Sequence, residues 1–343
     1  MNRYDEFYNF RLAKADDVDE IMSFIRTEWG ANHILAHDKE LFVWQYGRSE
    51  YGDDENINFV IMEDKSGNMV GGIGFVAYSN APKKLQVSTA ITKIKADGML
   101  PMAGIELMKR QMQLVGEVAS FSSGSNPNTI KPLWERVFKN EVGIMQQFYM
   151  LNETASEYKI ASIKNKTFLT PCDSDCKLEE IEKIEDVEFD FTKEYERMSY
   201  KTKEFIEKRY FKHPIYQYRK WALVRKGADL GLLFAREIEV NGAKVLRVVD
   251  YRGDLGNLYN LGSELHRIML EGGYEYIDIM VSGLDEEKMV KCGFCLLDVD
   301  GENIIPNHFE PYEQKNIKLH YQKSADIVIF KADGDQDRPN KRK

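Results

Sequence analysis

Gly98-Met-Leu-Pro-Met-Ala-Gly104-Ile-Glu106-Leu107 and Gly256-Asn-Leu-Tyr-Asn-Leu-Gly262-Ser-Glu264-Leu265 spell one pattern: glycine, five residues, glycine, any residue, glutamate, leucine. Each copy follows a strand-like run, Val87 to Lys95 and Val245 to Tyr251, and each opens an amphipathic helix that leads to another strand-like run. The duplication extends upstream. Lys39-Glu40-Leu41-Phe42 with Tyr46 has a partner in Lys203-Glu204-Phe205-Ile206 with Tyr210. Gly72-Ile73-Gly74-Phe75 has a partner in Gly231-Leu232-Leu233-Phe234. The motif order is the same in both halves, at a separation of roughly 160 residues, as a tandem duplication requires. The chain is therefore expected to fold as two similar modules, each alternating strands and helices.

The repeat also carries a chemical suggestion. A glycine loop feeding a helix start presents backbone N–H groups with no helical partner, which suits an anion such as a pyrophosphate. The length of 343 residues allows each module its own core. The predicted division is residues 1–152 for the first module, 153–190 for a charged connecting segment, 191–331 for the second module, and 332–343 for a disordered Asp-, Asn- and Arg-rich tail. Within the connection, a short strand is expected near Lys166 to Leu169.

A net charge of −9 argues against a general nucleic-acid or anionic-membrane surface. Runs of about 18 apolar residues, long enough to span a bilayer, are absent, and the N-terminus lacks the apolar core of a signal peptide. These features point to a cytoplasmic protein. Of the four cysteines, Cys172 and Cys176 lie in a polar loop and Cys292 and Cys295 flank Gly293-Phe294. Free thiols are expected rather than a zinc site or disulfides, because Phe294 belongs in the core and a reducing compartment disfavours the bond.

The predicted order is strand, helix, three antiparallel strands, glycine loop, helix, strand, helix, strand in the first half, and three strands, glycine loop, helix, strand, helix, strand from Trp221 to Val299 in the second. With the motifs above, this resembles the GNAT acyltransferases, as two tandem GNAT-like units of the α/β (α+β) class, each a mixed, mainly antiparallel sheet flanked by helices. The early His33-x-x-x-His37-Asp38-x-x-Leu41-Phe42-x-Trp44-Gln45 and the late Ile305-Pro306-Asn307-His308-Phe309 look like tandem GNAT proteins of bacterial surface-polysaccharide gene clusters. The resemblance implies an N- or O-acyltransferase using acetyl-CoA or another acyl-CoA. The acceptor would be a small molecule, such as an amino sugar or nucleotide sugar. The cofactor would lie on Ile94, Lys95, Gly98, Met99, Ala103 and Gly104, with Asn126 or Asn128 on the pantetheine arm. Departures are visible. Met99 and Met102 stand where the family's loop has Gln or Arg and Gly. Trp134 and Met289 stand where a proton-donating Tyr is expected, and neither can protonate a thiolate.

Direct attack on a thioester needs proximity, a backbone donor at the developing oxyanion and a route for the nucleophile's proton. The slot is expected between Thr92 to Lys95 and Ser120 to Ser123. For the proton route, His37 with Asp38 is the predicted catalytic pair, with His33, Trp44 and Tyr46 about the substrate. The structural alternatives are a helix cap for Asp38, a turn for Asn126 and Asn128, and core positions for Trp44 and Tyr46. Two other functions remain open. One is a Fem-type aminoacyl or peptidyl transferase. The other is a GNAT-like scaffold without catalysis, whose slot would be filled by Met99 or Met102.

Overall fold

A computed structural model of the chain describes residues 2–47, 55–79 and 84–340. In chain order the strands are β1 (Tyr8–Lys14), β2 (Asn56–Asp64), β3 (Met69–Ala77), β4 (Gln86–Ile94), β5 (Ala119–Ser123), β6 (Glu141–Ile144), β7 (Gln146–Leu151), β8 (Lys177–Glu180) and β9 (Tyr218–Arg225). They continue as β10 (Ala228–Val240), β11 (Ala243–Gly253), β12 (Tyr276–Ser282), β13 (Cys295–Leu296), β14 (His308–Phe309), β15 (Tyr312–Glu313), β16 (His320–Lys323) and β17 (Ile329–Phe330). The helices are α1 (Val18–Phe24), α2 (Lys39–Tyr46), α3 (Ala103–Val115), α4 (Lys131–Leu133), α5 (Lys203–Ile206), α6 (Leu255–Leu258), α7 (Gly262–Gly272) and α8 (Glu286–Lys291). A π-turn, Trp134–Phe138, continues α4.

The strands form two large mixed sheets of matching order. The first runs β1-β2-β3-β4-β5-β16-β6 and the second β8-β9-β10-β11-β12-β7-β13, read from the same end. In both, the fourth and fifth strands are the parallel pair and the first four are antiparallel. The two modules predicted from the repeat are present, but they are not sequential. β7 leaves the first half to pair with β12, and β16 returns from the end of the chain to lie between β5 and β6. The predicted boundaries at 152 and 331 therefore cut through the exchange. Charged residues 153–190 had suggested a plain connection, yet β8 within them is the edge strand of the second sheet. Lys166 to Leu169 carry no strand; β8 lies further on, where Leu178 can be buried against β9.

Physical reasons for the repeated motifs emerge from packing. α2 and α5 each begin one residue after a capping side chain: Leu41 N–H donates to Asp38 Oδ1 at 2.9 Å, and Phe205 N–H to Thr202 Oγ1 at 3.2 Å. Tyr46 and Tyr210 end these turns fully enclosed. A Cβ at Gly74 would come within 2.6 Å of the Tyr46 ring, so β3 passes this close only as glycine. One face of the first sheet packs α1 and α2, with Ile21, Leu41 and Phe42 against Phe59 and Ile61. The other packs α3, with Leu107 and Met108 against Ile73, Phe75 and Val87. Between the two units Tyr78, Phe121 and Met145 meet Phe205, Tyr210, Phe234 and Ile329. Each such aromatic ring adds roughly 2–3 kcal/mol by burial, so the interface belongs to the core of the molecule.

The tail predicted as disordered is instead held down as far as it is described; residues 341–343 lie outside the described residues. Asp333 and Asp337 are fully enclosed. Lys201 Nζ meets Asp333 at 2.8 Å and Asp250 at 2.6 Å, Gly334 N–H donates to Tyr78 Oη at 2.7 Å, and Arg209 donates to the Asp337 carbonyl at 2.8 Å. Tail composition is polar because its partners are charged, and a sequence window cannot display partners over a hundred residues away. Burial alone would raise the Asp337 carboxyl, but Arg236, Arg209 and a hydrogen bond from Tyr218 pull it down to about 2. A carboxyl depressed from its ordinary value stabilises the fold above pH 4 and loses that contribution as pH falls toward 2. The amount is about 2 kcal/mol. Urea denaturation of Asp337→Asn against the parent should show a gap that narrows across this window; a gap independent of pH would contradict the assignment.

Candidate active site

β4 and β5 pair only at Gln86↔Ala119 and Val87↔Ser120, and beyond that they splay. β4 bulges at the splay: Phe75 faces Thr89 and Ile73 faces Thr92, so Ala90 and Ile91 oppose the single residue Gly74. A bulge leaves backbone N–H groups outside the ladder. The opening holds a cavity of about 480 Å³, lined by Thr89 to Thr92 on one side and Ser122 to Asn126 on the other. Trp29, Thr129, Ile130 and Trp134 complete the walls with Asp335, Gln336 and Arg338 of the tail. The sequence placed a slot between Thr92 to Lys95 and Ser120 to Ser123; this cavity lies a few residues earlier on β4 and later along β5.

The equivalent place in the second unit is closed. β11 and β12 pair from Leu246↔Ile277 to Val248↔Ile279 and then diverge. Into the gap runs β17, which pairs with Val281 and Ser282, and Ala332 N–H donates to the Val249 carbonyl at 3.0 Å. Val249 is the bulged residue of β11, between Phe234↔Asp250 and Ala235↔Val248. The chain's own backbone thus occupies the bulge that stays open in the first unit. The glycine motifs differ in the same way. A Cβ at Gly262 would lie 2.1 Å from the Cys292 carbonyl oxygen, so that glycine serves helix packing. At Gly104 the nearest atom would be Ile94 Cδ1 at 3.8 Å, which leaves the start of α3 approachable.

Among the predicted cofactor residues, Ile94 packs on the core and Lys95 N–H donates to the Val70 carbonyl, extending the β3–β4 ladder. Gly98 adopts φ +76° and is open. Met99 turns inward onto Tyr8, whose hydroxyl accepts from Leu100 N–H at 2.9 Å. Ala103 N–H is taken by the Leu100 carbonyl, whereas Met102 and Gly104 N–H have no acceptor among the described residues. Met102, left-handed at φ 66° and 61% exposed, does not fill the slot, and neither does Met99. Asn126 lines the cavity, but its Oδ1 accepts from Asn128 N–H at 2.9 Å in an Asx turn, and Asn128 is exposed outside it.

The predicted catalytic and substrate residues do not assemble. Asp38 is a helix cap, as above. His37 Nε2 donates to the Ala31 carbonyl at 2.5 Å on the surface. Trp44 packs against His213 with ring centroids 4.2 Å apart and planes tilted by 55°, and donates to the Lys208 carbonyl at the contact between units. Tyr46 is core. The helical spacing that suggested a pocket wall was that of an ordinary buried face. His33 alone reaches the site's charges. Burial first, then Arg338, pushes its imidazole down to about 4, with Asp335 opposing. Its Nδ1 accepts from Leu35 N–H, and its enclosed Nε2 has no partner among the described residues. The residue missed by sequence reasoning is Asp335, the one carboxylate among the described lining residues. It is 9% exposed and pairs with Arg338 at 3.4 Å.

Within this geometry the site can hold an extended chain between two strands, with one carboxylate, Asp335, on its described wall. No family model matches the chain, and no curated protein matches it. Solved structures do. A GCN5-related N-acetyltransferase from Anabaena variabilis ATCC 29413 superposes with a TM-score of 0.54 at 10% identity, over 92% of this chain and 72% of that one. A conserved protein of Enterococcus faecalis V583 gives 0.54 at 8% identity, over 92% and 71%. Two mixed, mainly antiparallel sheets flanked by helices, with a parallel fourth and fifth strand that splay apart, give this chain the GNAT fold.

Proposed function

We propose that the protein is an acyl-CoA-dependent N- or O-acyltransferase whose first unit is active and whose second unit has become structural. The observation that carries this reading is the contrast between the two splays: about 480 Å³ open between β4 and β5, and β17 wedged between β11 and β12. A scaffold that had lost catalysis would have no need of one slot left open while its counterpart is filled. The Fem-type alternative draws no support from a specific observation.

In this reading the pantetheine arm lies along Ala90 to Thr92, as an added strand would, and the thioester sits at the β4 bulge. An N–H there stabilises the oxyanion as the carbonyl is attacked. Asp335 takes the proton from the attacking amine or hydroxyl, and the unpartnered His33 Nε2–H donates a hydrogen bond to the acceptor. Trp134 offers no proton to the departing thiolate, so the hydroxyls of Ser125 and Thr129 on the same wall stabilise it instead. The phosphates fall toward Met102 and Gly104 N–H at the start of α3. Acetyl-CoA is the cofactor to try first, with amino sugars and nucleotide sugars as acceptors.

Isothermal titration with acetyl-CoA tests the reading: one site per chain is expected, and the absence of binding at millimolar ligand would end it. Gly104→Asp has room for its side chain, and its charge should weaken binding by about tenfold through repulsion of the phosphates. An unchanged affinity would move the phosphates away from α3.

A further inference from the structure

A second cavity, about 170 Å³, lies on the far side of the tail from the slot. Asp335, Gln336 and Arg338 line both, so the tail is the partition between them. Its remaining walls come from the second unit: Arg236 on β10, Arg247 on β11, Lys331 after β17, and the turn Asn307-His308-Phe309 with Tyr216. The late Ile-Pro-Asn-His-Phe motif therefore has a place at a cavity wall, and Arg247 fixes it there by donating to the Pro306 and Asn307 carbonyls at 2.8 and 3.1 Å.

The charges of this cavity can be matched one by one. Arg247 is held by Asp278 at 2.6 Å, Arg236 by Asp337 at 2.7 Å, and Arg338 by Asp335 at 3.4 Å. Glu310 accepts from Tyr216 Oη and Asn340 N–H, each at 2.9 Å. Lys331 is left over. Its ammonium lines the cavity with no hydrogen-bond or ion-pair partner among the described residues. Burial, and the nearby Arg247 and Arg236, push its amine down to about 8, with Asp337 and Asp278 opposing. Lys331 is half-buried, and a cation partly withdrawn from water without a partner favours a ligand of opposite charge.

We infer that this cavity is an anion subsite for the acceptor, in which Lys331 takes a carboxylate or phosphate group. The acceptor is then a small amine or alcohol bearing an anionic group, held at Lys331 in the cavity that shares Asp335 with the slot. The word acceptor rests on the transferase reading; the anion site does not. Phe309 and Tyr216 carry Arg247 and Arg236 over their rings at 4.9 and 3.5 Å, which helps fix both guanidiniums at the cavity wall.

The test is direct binding to the full chain at pH 7, with inorganic phosphate and succinate titrated separately and followed by NMR shifts. At least one probe should bind the parent protein, and which one binds separates phosphate from carboxylate. Lys331→Met should weaken that binding by about tenfold or more, and Lys331→Arg should retain it. Acetyl-CoA binding should be the same in all three proteins. Absence of binding of both probes to the parent, or equal binding to Lys331→Met, overturns the inference. Loss of acetyl-CoA binding in the parent while the anion still binds would instead remove the transferase reading alone.

Discussion

Asp335→Asn is expected to lower kcat by about a hundredfold to a thousandfold while leaving acetyl-CoA affinity unchanged. Asparagine keeps the shape of the side chain and its contact with Gln336, whose Nε2 donates to Asp335 Oδ1 at 3.4 Å. What it removes is the capacity to take a proton. The distinction from mere disturbance of the tail lies in the split between kcat and acetyl-CoA affinity: a displaced tail would weaken binding as well, because Gln336 and Arg338 line the same slot. Equal activity in the two proteins would leave the slot without a base and would return attention to His33. Rescue by Asp335→Glu would be partial at most, since the carboxylate sits in a nearly closed space shared with Arg338.

Thr92→Trp should abolish acetyl-CoA binding, with Kd raised by about a hundredfold or more, because the ring would occupy the slot that the cofactor needs. Thr92 is partly exposed on β4, and its hydroxyl makes only a 3.4 Å contact with the Ala90 carbonyl. The fold therefore loses little when it is replaced. Asn260→Trp is the matched control. Asn260 is exposed in the second glycine motif, next to a splay already taken by β17, and its replacement should leave binding within about twofold. If the two variants behaved in the opposite way, the active unit would be the second.

Much of the architecture was legible because duplication prints the same local physics twice. Lys39-Glu40 and Lys203-Glu204 start capped turns that end on a buried tyrosine, and Phe75 and Phe234 sit on third strands. The first glycine motif is a loop before a helix, whereas Gly256 to Leu258 of the second lie in the short helix α6, and identical letters answered different needs: Gly104 stands open, and Gly262 is pressed against Cys292. Sites were harder to read. Trp44 and Tyr46 carry chemistry-bearing groups at core positions, and Asp38 spends its carboxylate on a helix end. Asp335 and Lys331 gave no signal, since each stands in a polar stretch whose meaning depends on where that stretch is laid down.

By itself the sequence determined two strand-and-helix modules of one kind, the glycine loop before α3 and the alternative that Asp38 caps a short helix, features that depend on neighbours within a few residues. Tertiary structure alone decided that β7 and β16 change places, that one splay is filled and the other is open, and that the polar tail forms a wall between two cavities. Those outcomes rest on pairings such as Tyr321↔Ser123 and Lys201 with Asp333, whose partners lie far apart along the chain. Such pairings follow from which surfaces remain unburied once both sheets have formed, and no local pattern of residues contains that information.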